Sequence, residues 1–105
     1  IAEKLDSKET MAAQYGNLAT LYSMAGNCEE AGEYFHNALE NHRLLDNKRG
    51  IAQTYNNIGL NSERADNLAL AVEAFENAKA IFGELNDPYA NNLQRHIDRL
   101  KSLGS

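Results

Sequence analysis

Apolar residues recur along this chain at steps of three and four. Met11, Ala12, Tyr15, Leu18, Ala19 and Tyr22 mark one stripe, and Ala31, Phe35, Ala38, His42 and Leu45 a second. Ala52, Tyr55, Ile58 and Gly59 mark a third, and Ala71, Phe75, Ala78, Phe82 and Leu85 a fourth. Such steps put side chains on one face of an α-helix, and they predict helices over about 8–25, 28–45, 48–65 and 68–85, with no strand. Gly26 stops the first helix, because glycine accepts the left-handed backbone of a helix C-terminus. Asn27 then stands as an N-cap with Glu30 three residues on, a capping-box-like pair. Asp87 caps a fifth helix over about 88–103, in which Pro88 falls in the first turn, where its missing N–H is no loss. Tyr89, Leu93, Ile97, Leu100 and Leu103 share one face of it.

The four stripes are two copies of one unit. Residues 5–45 laid over 45–85 agree at 14 of 41 positions, among them Ala12/Ala52, Tyr15/Tyr55, Asn17/Asn57, Ala31/Ala71, Phe35/Phe75 and Ala38/Ala78. A fixed period of this size is the mark of a solenoid, whose units bury their apolar faces against their neighbours. Short connections make adjacent helices antiparallel. The expected fold is all-α: an α-solenoid of antiparallel helix pairs in one domain, residues 1–105, with repeats at 8–45 and 48–85. The fifth helix, 87–104, departs from the repeat. Arg95, Asp98 and Arg99 stand forty residues after Tyr55, Ile58 and Gly59, which reads as a C-terminal capping helix with a polar back. Leu5-Asp6 aligns with Leu45-Asp46, so residues 1–7 read as the end of a preceding repeat's helix. With Ile1 in place of a starting Met, the expectation is a fragment of a longer array.

Composition narrows the function classes. The formal net charge is −5 and evenly spread, with no basic stripe to neutralise phosphates, which disfavours nucleic acid and RNA-binding repeats. Arg95, Arg99 and Lys101 make the last helix locally basic, the pattern of a solvated face. Cys28 is the single cysteine, which suits a reducing, cytoplasmic setting. No apolar run approaches the ~20 residues of a membrane span, and no signal peptide is read.

The combined spacing Tyr15-x-x-Leu18-Ala19-x-x-Tyr22, Gly26, Ala31, Phe35, Ala38 resembles the tetratricopeptide repeat. Tyr55, Ile58, Gly59, Ala71, Phe75 and Ala78 carry it in the second unit, which departs at Ser62, in place of an aromatic, and at Asp66, in place of the turn glycine. The usual unit is ~34 residues; six more at ~1.5 Å rise add about 9 Å of helix per repeat. This longer form is similar to the repeats of kinesin light chains, Leu-Gly-Asn-repeat scaffolds and bacterial regulators. The resemblance implies a small-residue contact within each pair (Ala19/Gly59, Ala31/Ala71), with Tyr15/Tyr55 and Phe35/Phe75 between pairs. It implies a non-catalytic protein- or peptide-binding module within a larger scaffold or regulator. The competing class is a sensor domain that binds a peptide or small-molecule signal and gates an attached effector.

The resemblance also places a groove. Its inward positions are Ala13, Gly16, Asn17, Thr20 and Met24 in the first repeat and Gln53, Asn56, Asn57, Leu60 and Arg64 in the second. Of these, Asn17, Thr20, Gln53, Asn56, Asn57 and Arg64 are the candidate peptide-binding residues. A carboxamide donates to a peptide C=O and accepts from its N–H at once, and Arg64 suits an acidic group. Asn17 and Asn57 equally suit hydrogen bonds to neighbouring helices, and both readings stand at this point. Glu33-x-x-His36 has a metal-ligand spacing, but the second repeat has no matching His, and a solvated face is the better reading. His42 lies on an apolar stripe and reads as a packed histidine with one hydrogen bond. Cys28 reads as inert. No phosphate loop, nucleophile elbow or HExxH occurs, so no catalytic site, cofactor or metal is expected. Partners are proteins or peptides, with self-association through an open apolar edge at Met11, Leu18 and Tyr22.

Overall fold

The computed structural model describes the backbone of residues 2–104 and the side chains of 8–103. Five helices follow in order: α1 (Ala2–Met24), α2 (Cys28–Leu44), α3 (Lys48–Arg64), α4 (Leu68–Glu84) and α5 (Tyr89–Gly104). Each packs against the next along the chain, and α1 also touches α3. First helices of successive pairs thus lie side by side, as stacking of repeats requires. The molecule is a flat slab of 51 × 33 × 14 Å.

The helix ends repeat with a period of 20. Gly26, Asp46, Asp66 and Asn86 each adopt positive φ, at 90°, 53°, 61° and 56°. Each is followed by the paired hydrogen bonds of a Schellman turn: Asn27 N–H to the Tyr22 carbonyl at 2.8 Å, Asn47 to His42 at 2.9 Å, Asn67 to Ser62 at 2.8 Å and Asp87 to Phe82 at 2.9 Å. This satisfies carbonyls that a helix C-terminus leaves open. Asp66, a departure from glycine in the sequence, still takes the left-handed form, as Asn and Asp do more readily than other side chains.

The next residue opens the following helix. Asn47 accepts from the Gly50 N–H at 3.0 Å and Asn67 from the Leu70 N–H at 3.2 Å. Asp87 accepts from the Tyr89 N–H at 2.9 Å. Asn27 differs from the expectation: it holds the N-cap position, but its side chain makes no cap bond, so the capping box with Glu30 is not formed. The start of α1 also differs. Nothing in 2–8 is a Gly or Pro, and the backbone is helical from Ala2 without a break near Lys8. The side chains of 1–7, on which the preceding-repeat reading rests, lie outside the described residues.

The core has two parts. Phe75, Phe82, Leu93, Ile97 and Leu100 gather with Ala52, Ala71 and Ala78 between α3, α4 and α5; Ala19, Ala31 and Phe35 form a smaller cluster closed by Tyr22, Tyr34 and Ile58. Phe35 and Phe75 are 2% and 0% exposed. At about 25 cal/mol per Å² of apolar surface, each ring contributes several kcal/mol. Alanine at 19, 31, 52, 71 and 78, each 0–1% exposed, lets the helices close over the rings.

The capping helix is less detached than its sequence suggests. Arg95 and Asp98 face solvent, but Arg99 and His96 reach back to Glu63 of α3 at 2.9 and 3.0 Å. Lys101 pairs with Glu76 of α4 at 3.4 Å, and Lys79 donates to Gln94. At the other end of the interface Arg49 meets Asp87 at 2.6 Å, and Lys48 meets Glu84 at 3.6 Å. Only the outermost strip of α5 is therefore a solvated back.

Candidate functional site

Of the six residues picked from sequence, Asn17 and Thr20 lie on α1 and Gln53, Asn56, Asn57 and Arg64 on α3, and the structure sorts them by exposure and partners. Asn17 and Gln53 are exposed; Asn56 and Asn57 are half-buried. Among the described residues, the side chains of Asn17 and Asn57 make no hydrogen bond. Among the described residues their amides are therefore not spent on neighbouring helices. Thr20 is exposed, and its hydroxyl donates to the Gly16 carbonyl one turn back at 2.9 Å. Arg64 donates to the hydroxyl of Ser23 at 2.8 Å. Ser23 is 2% exposed, so Arg64 ties the end of α3 to the end of α1. Around them Met24 is exposed and Leu60 packs against the larger core cluster.

Two clefts flank the first turn of α2. One, of about 510 Å³, is bordered by Asn27, Glu29, Glu30, Glu33 and Arg64. The other, of about 260 Å³, lies between α2 and the α3–α4 connection, against Gly32, His36, Ile58, Asn61 and Leu70. Glu33 borders the first and His36 the second. Among the described residues no three His, Cys, Asp or Glu side chains gather as a metal site would need. Cys28 is half-buried and free.

Sequence reasoning missed two clusters. Tyr34 stacks on Tyr22 with centroids 5.4 Å apart and on Tyr15 at 6.1 Å. The Tyr22 hydroxyl, then burial, then Glu30 and Glu33 push the Tyr34 hydroxyl above its ordinary pKa. Tyr34 falls between the stripe positions of α2, and its repeat partner is Ala74, so period and spacing both passed over it. The second cluster is Glu63 with His96 and Arg99, beside an edge-on contact of His96 with Phe75 at 4.7 Å. Burial pushes the Glu63 carboxyl up, but hydrogen bonds from Arg99 and His96 and their charges outweigh it and hold the group below its ordinary value. His42 meets its expectation: half-buried, with one bond from the Asn47 amide at 3.3 Å and a pKa lowered by burial.

The arrangement of the helices has a known counterpart. The N-terminal domain of stress-induced protein-1 (STI-1) from C. elegans superposes with a TM-score of 0.73 at 23% sequence identity, over 86% of this chain and 67% of that one. Among curated proteins no sequence match is found. No described helix is long and apolar enough to cross a membrane. The family model for the tetratricopeptide repeat matches residues 9–90, most of the chain and the same span that carries the Tyr–Ala–Phe spacing, and the chain belongs to that family.

Proposed function

We propose that this chain is a non-catalytic binding module that takes an extended peptide along the α1–α3 face. The observation that carries the reading is the pair Asn17 and Asn57, forty residues apart on equivalent helices. Their amides are without hydrogen bonds among the described residues. Two such groups on adjacent helices suit the repeating N–H and C=O of a peptide backbone. Gln53 and Asn56 lie beside Asn57 and add further polar contacts. Arg64 serves first as a brace to Ser23, and an acidic ligand group meets it only at the cost of that bond or by sharing it. The setting that fits a free Cys28 is a reducing, cytoplasmic one. Self-association through the apolar face of α1 belongs to the same proposal.

The test uses a peptide selected from a random display library against the intact chain. Asn17→Ala and Asn57→Ala should each weaken that peptide by about 1–2 kcal/mol, the loss expected for one hydrogen-bonding amide. Unchanged affinity in both variants would remove the two amides from the site.

A further inference from the structure

We propose a second site, in the cleft between α2 and the α3–α4 connection, that seats one apolar side chain of a basic peptide segment. The cleft holds about 260 Å³, below the size of a small-molecule pocket and suited to a single side chain. Its walls are Gly32, Ile58, Ala65 and Leu70, with Asn61 among its lining. Asn61 is 6% exposed. Its amide nitrogen donates to the Cys28 carbonyl at 2.9 Å, while its Oδ1 has no hydrogen-bond partner. A buried acceptor left unpaired is costly; Oδ1 is closed to solvent as it stands, so a ligand donor relieves that cost by turning the Asn61 side chain towards the cleft.

The cleft is particular to this junction. Forty residues on from Cys28 and Gly32 stand Leu68 and Val72, both packed against the core that α5 closes. Bulk therefore fills the equivalent space beneath α5. Forty residues before Asn61 stands Leu21, so the buried amide also occurs once. Between the two repeats the combination of glycine at 32 and asparagine at 61 leaves a space beside a buried, unpaired acceptor.

The charge beside the cleft selects the occupant. Cys28, Glu29 and Ala65 border both this cleft and its larger neighbour, which continues over Glu30 and Glu33. Three carboxylates face the single guanidinium of Arg64, itself turned to Ser23. A leucine-sized side chain in the small cleft, its backbone N–H towards Asn61, carries the following residues over these carboxylates. Lysine or arginine there is favoured, and phosphate-bearing partners are repelled. The small cleft has none of the six α1–α3 candidates in its lining, although Arg64 borders its larger neighbour, and it is tested separately from that face.

The probes are acetyl-Leu-Lys-Lys-amide and acetyl-Leu-Glu-Glu-amide, titrated into the ¹⁵N-labelled chain and followed by backbone amide shifts. The basic tripeptide should move the amides of Cys28, Gly32, Ile58 and Ala65, and the acidic one should bind about tenfold more weakly or not at all. Gly32→Val, which copies the second repeat, should abolish those shifts by filling the space. A Cβ at 32 meets Asn61 Nδ2 at 3.9 Å, an ordinary contact, and an unchanged amide spectrum away from the cleft checks that the valine variant keeps the fold. Asn61→Leu, which copies the first repeat, should weaken the basic tripeptide about tenfold. Equal binding of the two tripeptides, shifts confined to α1 and α3, or no loss in either variant would each overturn the proposal. Shifts confined to α1 and α3 would do so while leaving the groove reading intact.

Discussion

Gly59 of α3 lies flat against the ring of Phe75: a Cβ built at 59 would stand 2.6 Å from Cε1 and 2.7 Å from Cδ1 and Cζ. The first repeat has Ala19 at the same position, buried beside Phe35 with its methyl accommodated. The two helix pairs therefore share a plan but not a spacing. Gly59→Ala should destabilise the chain by about 1–3 kcal/mol, as overpacking does, despite alanine's helix preference of ~1 kcal/mol. Gly16→Ala meets open space and should stabilise by up to about 1 kcal/mol. Thermal melts of the two variants moving in the same direction would contradict the packing assigned to Phe75.

Asp66→Gly should also raise stability. Asp66 holds φ 61°, a backbone that costs a side-chain-bearing residue up to about 1–2 kcal/mol, less for Asp than for most. The expected gain is below 1 kcal/mol after glycine's larger unfolded-state entropy, or a few degrees in Tm for a domain of this size. A fall in Tm would show that the Asp66 side chain contributes something the turn geometry does not.

Much of this was legible in the chain because the repeat doubles every signal. The stripe of Ala31, Phe35 and Ala38, seen again at 71, 75 and 78, set the register of α2 and α4, and helix ends fell within a residue of those expected from α2 onward. Leu93, Ile97 and Leu100 were legible as the buried face of α5 by spacing alone. What escaped was whatever the repeat does not duplicate. The contact of Glu63 with His96 and Arg99 spans more than thirty residues and has no counterpart in the first pair. Tyr34 escaped because Ala74 stands in its place. Among the six candidates, Arg64 was legible as a charge but not as a brace, since its partner Ser23 gives no sequence signal of being buried.

Glu63 makes stability depend on acid. Its folded pKa lies below the ordinary 4.5, so the contribution is fully present above that value and is lost as pH falls through the lower folded value. Glu63→Gln keeps the shape and removes the charge. Wild type should melt higher than Glu63→Gln at neutral pH, and the two should converge as pH falls below the ordinary carboxylate range. The carboxylate is partly exposed, so the difference is of the order of 1 kcal/mol or less. A gap that persists undiminished in acid would assign the effect to shape, not charge.

The apolar face of α1 should drive association of two copies. Leu21 and Met24 are 64% and 68% exposed, and Met11 and Leu18 are 40%. Tyr22, expected on that edge, is half-buried and stacked on Tyr34. Exposed apolar side chains in this number favour association. Sedimentation velocity should show a weight-average mass rising with concentration, and Leu18→Glu with Leu21→Lys should return the chain to monomer. A monomer at all concentrations in the unsubstituted chain would show that the face is not adhesive.

The six groove candidates should separate by stability before any ligand is added. Arg64→Ala leaves the Ser23 hydroxyl, 2% exposed, without its donor at 2.8 Å. An orphaned buried polar group costs about 1–3 kcal/mol, so this variant should melt lower. Asn17→Ala breaks no hydrogen bond among the described residues and replaces a poor helix former with the best one, a gain of up to about 0.7 kcal/mol. Asn57→Ala exchanges a half-buried amide for a methyl and should fall between the two. Melts in this order would mark Arg64 as a structural brace and leave the amides available for a ligand. If Asn17→Ala melted as low as Arg64→Ala, the amide would be holding the fold, and the α1–α3 face would lose its first contact with a peptide backbone.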